Sequence, residues 1–205
     1  MTVIDNILDV EKHLDGIDAV IFDLDDTLYS EKDYVRSGYR AVAARFPEVP
    51  DMAEKLWAVF ERGGKAIDEV LDAEGLTAYR AEAVRIYRLH EPTISLYPGV
   101  REMLARLGEK HRLGIITDGR SEGQRAKLNA LGLTRIETII TDELGGIEFR
   151  KPNDIAFRIM VQRLGVPFSR AVYIGDNVTK DFIAPDRLGM HSICFANPDG
   201  LYAGK

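Results

Sequence analysis

The sequence predicts an α/β protein: a Rossmann-like, mostly parallel sheet covered by helices, with an all-helical segment inserted after the first strand. Three observations carry that prediction. From residue 97 onward, short apolar runs alternate with amphipathic helical stretches, as in a covered parallel sheet. One further apolar run, residues 18–24, stands far upstream of this alternation. Between the two, residues 30–96 carry helical periodicity and no convincing β segment.

Taken in order, Val3, Ile4, Ile7, Leu8 and Leu14 are spaced for a short amphipathic helix over 3–14. Residues 18–24 follow as a buried strand. The insert holds helical stretches near 32–46, 50–62, 65–73 and 76–90, and Trp57 and Phe60, three apart, fall to its core. Beyond Tyr97-Pro98-Gly99 the pattern runs helix 99–109, strand His111–Thr117, helix 121–130, strand Glu137–Thr141, helix 153–164, strand Ala171–Ile174, helix 178–188 and strand His191–Phe195. This gives five strands. Residues 1–28 and 97–205 then form the core and 29–96 a helical cap, with Tyr29-Ser30-Glu31 and Ser95 to Gly99 as hinges.

Composition bounds the function. The 205 residues suffice for one large domain with a small insert, and 45% apolar content supports a real core. With 27 basic and 33 acidic residues the net charge is −6, which argues against a broad nucleic-acid surface. The one cysteine, Cys194, allows no internal disulfide and falls in a core strand. No apolar run approaches membrane-spanning length and the N-terminus does not read as a secretory signal, so a cytoplasmic protein with no membrane partner is expected. The helix expected over 3–14 is compatible with a monomer or a homodimer.

The chemistry concentrates at strand ends. Asp23-Leu24-Asp25-Asp26-Thr27-Leu28 directly follows Val20-Ile21-Phe22, so carboxylates two residues apart stand at the C-terminal end of a buried strand. Open α/β sheets put their reaction centres at that edge. Carboxylates clustered there are costly unless a metal, a lysine or hydrogen bonds compensate them. Such a site suits phosphoryl transfer through an aspartyl intermediate. Thr117-Asp118, the loop before Lys151-Pro152, and Gly175-Asp176 with Asp181 reach the same edge if the strands are parallel. That convergence is more informative than any one motif.

With these four motifs in this order, the chain resembles the haloacid dehalogenase-like hydrolases, in particular their phosphatases with a small helical cap. The resemblance covers nearly the whole chain. It implies Asp23 as the nucleophile and Asp25 as the general acid and base, a residue typically absent from relatives that dehalogenate. It implies Thr117, Asp118 and Gly119 as a phosphate-binding loop, and Lys151 as the cation that neutralises phosphate and nucleophile. It further implies a Mg²⁺ site made by the Asp23 carboxylate, the Asp25 backbone carbonyl and Asp176, with Asp181 supporting the metal or orienting Lys151. An all-oxygen set of this kind suits a hard divalent ion.

Many members of that family carry Asn at the position of Asp118, so this chain adds a negative charge beside an anion site. Asp26 reads as a turn or capping carboxylate, and Asn177 or Thr179 as a cap for the helix expected from 178. Tyr34, Arg36, Arg40, Arg62 and Lys65 are the insert's candidate substrate contacts. The expected activity is Mg²⁺-dependent hydrolysis of a small phosphorylated metabolite, a sugar phosphate or a nucleoside monophosphate. Phosphoryl transfer of the mutase kind and non-catalytic phosphate binding remain open as alternatives at this level.

Overall fold

In the computed structural model, which describes residues 1–201, the chain divides into two compact units. One is formed by Met1–Glu31 together with the chain from Ser95 onward, the other by Lys32–Ile94. Among the described residues, no helix is long and apolar enough to cross a membrane.

The first unit is built on six parallel strands: β1 (Thr2–Ile4), β2 (Ala19–Phe22), β3 (Arg112–Thr117), β4 (Glu137–Ile140), β5 (Ala171–Gly175) and β6 (His191–Phe195). Their order across the sheet is β1-β6-β5-β2-β3-β4. The central strand β2 aligns Phe22 with Ile115 of β3 on one side and with Ile174 of β5 on the other. Strand order reverses at β2, and the crevice at such a switch point, outside the carboxyl ends, is where open α/β sheets bind ligands. All four residues of β2 are fully buried. Side chains alternate between faces, so one face carries Ile21, Ile116, Ile139, Tyr173 and Cys194, packed with Phe157, Met160 and Leu164 of the helix Ile155–Leu164. Burial on both faces is why these strands read as continuous apolar runs.

Two elements differ from expectation. Residues 3–14 do not form one helix. Thr2–Ile4 is an edge strand that pairs with β6, aligning Val3 with Cys194, and Ile7–His13 is a 3₁₀ helix. The inward apolar spacing of Ile4, Ile7, Val10 and Leu14 is satisfied by this combination. A three-residue strand has no periodicity to read, and its pairing comes from a partner 191 residues downstream. The sheet therefore has six strands, not five.

The helix expected over 178–188 is restricted to Ile183–Leu188. Asn177 Oδ1 accepts from the Thr179 backbone N–H (3.0 Å) and hydroxyl (2.6 Å), closing a local turn that competes with helix. Pro185 fits only in a first helical turn, where its missing N–H costs nothing, and this fixes the start near Ile183. Asn177 thus shapes the turn and does not cap the helix.

The second unit contains α1 from Lys32 onward (α1 spans Glu31–Arg45), α2 (Met52–Glu61), α3 (Ala66–Ala73) and α4 (Arg80–Leu89). Val35, Tyr39, Val42 and Phe46 repeat at the spacing of one helix face and meet Leu56, Val59, Val70 and Leu71 in a separate core. Trp57 and Phe60 pack against that core with ring centroids 5.1 Å apart.

Candidate active site

The carboxyl edge of the sheet gathers the residues that the motifs single out. Asp23 leaves the end of β2, its backbone N–H donating to Ile174 O of β5. Lys151 enters from the loop ahead of α7 (Ile155–Leu164), its side chain fully buried. Its Nζ lies 2.8 Å from Asp23 Oδ1 and 2.9 Å from Asp181 Oδ1, and donates to the Tyr173 hydroxyl at 2.9 Å. Burial works to lower the Lys151 pKa, but Asp181 and Asp23 outweigh it and hold the amine charged.

Asp181 is held from its other side by the Asn177 backbone N–H, 3.0 Å from Oδ2. Gly175 makes room for it: a Cβ there would sit 2.4 Å from Asp181 Oδ2. One oxygen each of Asp23, Asp176 and Asp181 fall within 4.8 Å of one another. This crowding has a cost. Burial, then the charges of Asp23 and Asp181, push Asp176 up to about 8. Asp23 is pushed up to about 6 by burial, against the pull of Lys151 and with the repulsion of Asp181. Three hard oxygen donors with more negative charge than one lysine neutralises fit a Mg²⁺ ion.

That charge gives a sign to the pH dependence of stability. Asp176 and Asp23 keep protons in the fold at pH values where the unfolded chain has released them. Their contribution is complete below the ordinary carboxylate pKa and is lost as pH rises through about 6 and about 8. In EDTA the protein is expected to melt at progressively lower temperature from pH 5 to pH 8. A fixed Mg²⁺ concentration should raise Tm more at pH 8 than at pH 6, because the ion displaces those protons. Equal Mg²⁺ shifts at both pH values would contradict the assignment of these carboxylates to the ion.

Asp25 does not share this environment. Its Oδ1 accepts from Lys127 Nζ at 2.7 Å and from the Tyr29 hydroxyl, and its Oδ2 from Gln124 Nε2 at 2.8 Å. Burial would raise its pKa, but Lys127 and these hydrogen bonds more than offset it, so the carboxyl lies below its ordinary value. Both of its side-chain oxygens are thus engaged by these donors.

The Thr117-Asp118-Gly119 loop closes the other side. Thr117 is fully buried, and its Oγ1 accepts from Gln124 Nε2 at 2.8 Å, which leaves its own proton to donate. Gly119, at φ 138°, takes a conformation that side chains rarely adopt. Asp118 turns its carboxylate onto neighbouring donors: Oδ1 accepts from Thr141 Oγ1 (2.9 Å) and the Lys151 N–H (3.1 Å), Oδ2 from Lys180 Nζ (3.0 Å). Burial raises its pKa, yet Lys151 and Lys180 prevail and the group lies low. The added charge is therefore compensated by Lys151 and Lys180. The Asp142 carboxylate, held low mainly by Arg150, also draws on the Gly119 N–H.

Asp26 stands apart from the chemistry. At φ 52° and 1% exposure it accepts from Glu31 N (2.8 Å) and Leu201 N (2.7 Å), closing the turn before α1 (Glu31–Arg45). The insert's candidate contacts lie within the helical unit. Arg36 stacks 3.9 Å over Trp57 and, with Arg40, Tyr39 and Glu54, lines a cavity of about 320 Å³. Arg62 pairs with Glu69, whose carboxylate also accepts the Lys65 N–H, and Tyr34 packs against Tyr87 and His90.

A family model described as haloacid dehalogenase-like hydrolase matches residues 17–189. Among curated proteins, the chain is 31% identical to the glyceraldehyde 3-phosphate phosphatase of Methanopyrus kandleri, over 86% of this chain and 83% of that one. It is 29% identical to the ribulose-1,5-bisphosphate 5-phosphatase of Halopiger xanaduensis (86% and 84%) and 31% identical to the phosphoglycolate phosphatase of Rhodospirillum rubrum (78% and 72%). Among solved structures, a subfamily IA hydrolase from Geobacter sulfurreducens superposes with a TM-score of 0.67 at 18% identity, covering 89% of each chain.

Proposed function

The chain belongs to the haloacid dehalogenase-like hydrolases, and from that membership and the geometry of the sheet edge we propose that it is a Mg²⁺-dependent phosphomonoesterase acting on a small phosphorylated metabolite. The observation that carries the proposal is the junction of Asp23 with a fully buried Lys151 at 2.8 Å, at the strand-order switch point. A carboxylate nucleophile beside a cation is suited to an anionic substrate, which would otherwise repel it.

In the proposed reaction an Asp23 oxygen attacks phosphorus and the bond to the leaving oxygen breaks. Asp25, which must first bind a proton against the pull of Lys127, gives that proton to the leaving oxygen, which departs as an alcohol. Asp25, now a carboxylate, accepts a proton from water as the water oxygen attacks phosphorus, and the Asp23–phosphorus bond breaks to release phosphate. Lys151 and the Thr117 hydroxyl bind the phosphoryl oxygens. The buried Asp181 holds Lys151 in place. Mg²⁺, bound by Asp23, Asp176 and the Asp25 carbonyl with support from Asp181, would add positive charge that screens the approach of two anions.

In this reading residues 1–28 and 97–205 are the catalytic core and 29–96 a cap that recognises the leaving group. Relatives named for triose, pentose and glycolate phosphates support a small substrate. Such substrates, the acidic net charge and the buried lone Cys194 support a cytoplasmic setting. The test is phosphate release from a panel of sugar phosphates, phosphoglycolate and nucleoside monophosphates, with Mg²⁺ and with EDTA. Mg²⁺-dependent release concentrated on one chemical group is expected. Absence of release across the panel would overturn the proposal.

A further inference from the structure

Three donors converge on Asp25: Tyr29, and two side chains of α6 (Ser121–Ala130), Gln124 and Lys127. They stand three residues apart and so share a helix face. That face continues through Leu128 and Leu131, both buried. A lysine on a core-facing stripe is expensive: its side chain is 7% exposed, and an apolar residue of similar volume would seat the helix at no desolvation cost.

Gln124 has a second connection. The amide that donates to Asp25 also lies 2.8 Å from Thr117 Oγ1 and 2.5 Å from the Asp118 carbonyl. One side chain therefore touches both the proposed acid–base group and the loop proposed to receive phosphate. A Cβ at Gly119 would sit 3.1 Å from that same amide, so the loop backbone is built close around it.

We infer that Lys127, assisted by Gln124, is a positioning residue for proton transfer: it fixes the Asp25 carboxylate relative to the Thr117-Asp118-Gly119 loop. The inference rests on the phosphomonoesterase reading above. Lys127 touches no reacting atom and acts through Asp25. Without it Oδ1 keeps only the Tyr29 hydroxyl and the Asp25 side chain is held less firmly in one staggered rotamer, while proton transfer needs the two heavy atoms about 2.6–3.2 Å apart. Both half-reactions use that geometry when the leaving oxygen is basic. When the leaving group is p-nitrophenolate, which departs without a proton, only the second half-reaction needs it.

This gives a signature that a merely structural role would not produce. Lys127→Met is compared with the wild type, in Mg²⁺, on p-nitrophenyl phosphate and on an alkyl phosphomonoester that the wild type hydrolyses. On the alkyl ester, kcat is expected to fall about 100-fold with KM changed by less than about threefold. On p-nitrophenyl phosphate, rapid mixing is expected to give a burst of about one p-nitrophenolate per enzyme before a slow steady state. Gln124→Leu, which leaves the charge pair in place, should give the same split at about one-tenth of the size. Equal losses on both esters with no burst, or wild-type rates in both variants, would overturn the inference; should Lys127→Met fail to fold, Gln124→Leu alone decides it. Failure of the wild type on both esters would instead remove the phosphomonoesterase reading and this inference with it.

Discussion

Replacing Asp23 with asparagine is expected to stop phosphate release while leaving the fold intact. Loss of a covalent nucleophile removes a route, not a contact, and the fall in kcat should be roughly 10³-fold or greater. The same change is expected to leave stability in EDTA at pH 8 equal to or above that of the wild type. Asp23 is 4% exposed and is crowded by Asp181 and Asp176, and its carboxyl is pushed up to about 6. Asparagine removes that repulsion, and Lys151 keeps Asp181 as a partner at 2.9 Å. An enzyme made more stable and inactive by one atom exchange would mark Asp23 as a residue retained against the interest of the fold. Turnover within tenfold of the wild type would exclude Asp23 as the nucleophile.

Lys151→Met is expected to damage both properties. Its ammonium is the near neighbour of two buried carboxylates, and its own side chain has no exposure. Removing one member of a buried charge cluster leaves the others uncompensated, at a cost of about 3–5 kcal/mol. Urea unfolding at pH 8 in EDTA should show a loss of that order. The loss should shrink toward pH 6, where Asp23 begins to take up a proton, and Mg²⁺ should restore part of it by neutralising the same oxygens. Activity should be lost under all these conditions. A variant as stable as the wild type at pH 8 would show that Lys151 does not neutralise the cluster.

Much of this was legible in the sequence, for identifiable reasons. Strands buried on both faces write themselves as apolar runs, and Val20-Ile21-Phe22 is such a run ending directly in Asp23. Parallel pairing then brings Thr117 and Gly175 to the same edge without any knowledge of side-chain packing. The roles of Lys127 and Gln124 are not legible in the sequence, because their partner lies about 100 positions away on another element. The available signal was local: Gln124, Lys127, Leu128 and Leu131 fall on one helical stripe, and a cation on a core-facing stripe requires a counter-charge. The orientation of Asp118 was equally hidden, since it depends on Lys180 across the loop. β1 and the late start of α8 (Ile183–Leu188) leave no mark in the sequence pattern, because a three-residue edge strand and an asparagine turn carry no periodicity.

The chain leaves and re-enters the sheet unit side by side. Tyr29 is bridged antiparallel to Leu96, and the Tyr97 N–H donates to Leu28 O. This bears on how the sheet can assemble. β2 must find β3 across a long gap, since Phe22 pairs with Ile115, and a loop of that length makes closure slow. Helices held by local contacts form early. Once the Lys32–Ile94 bundle has folded and drawn its two ends together, the flexible length left to close is roughly a third of the original. That reduces the closure entropy by about 1 kcal/mol. The insertion that interrupts the sheet in sequence thereby shortens the search by which its central strand pairs.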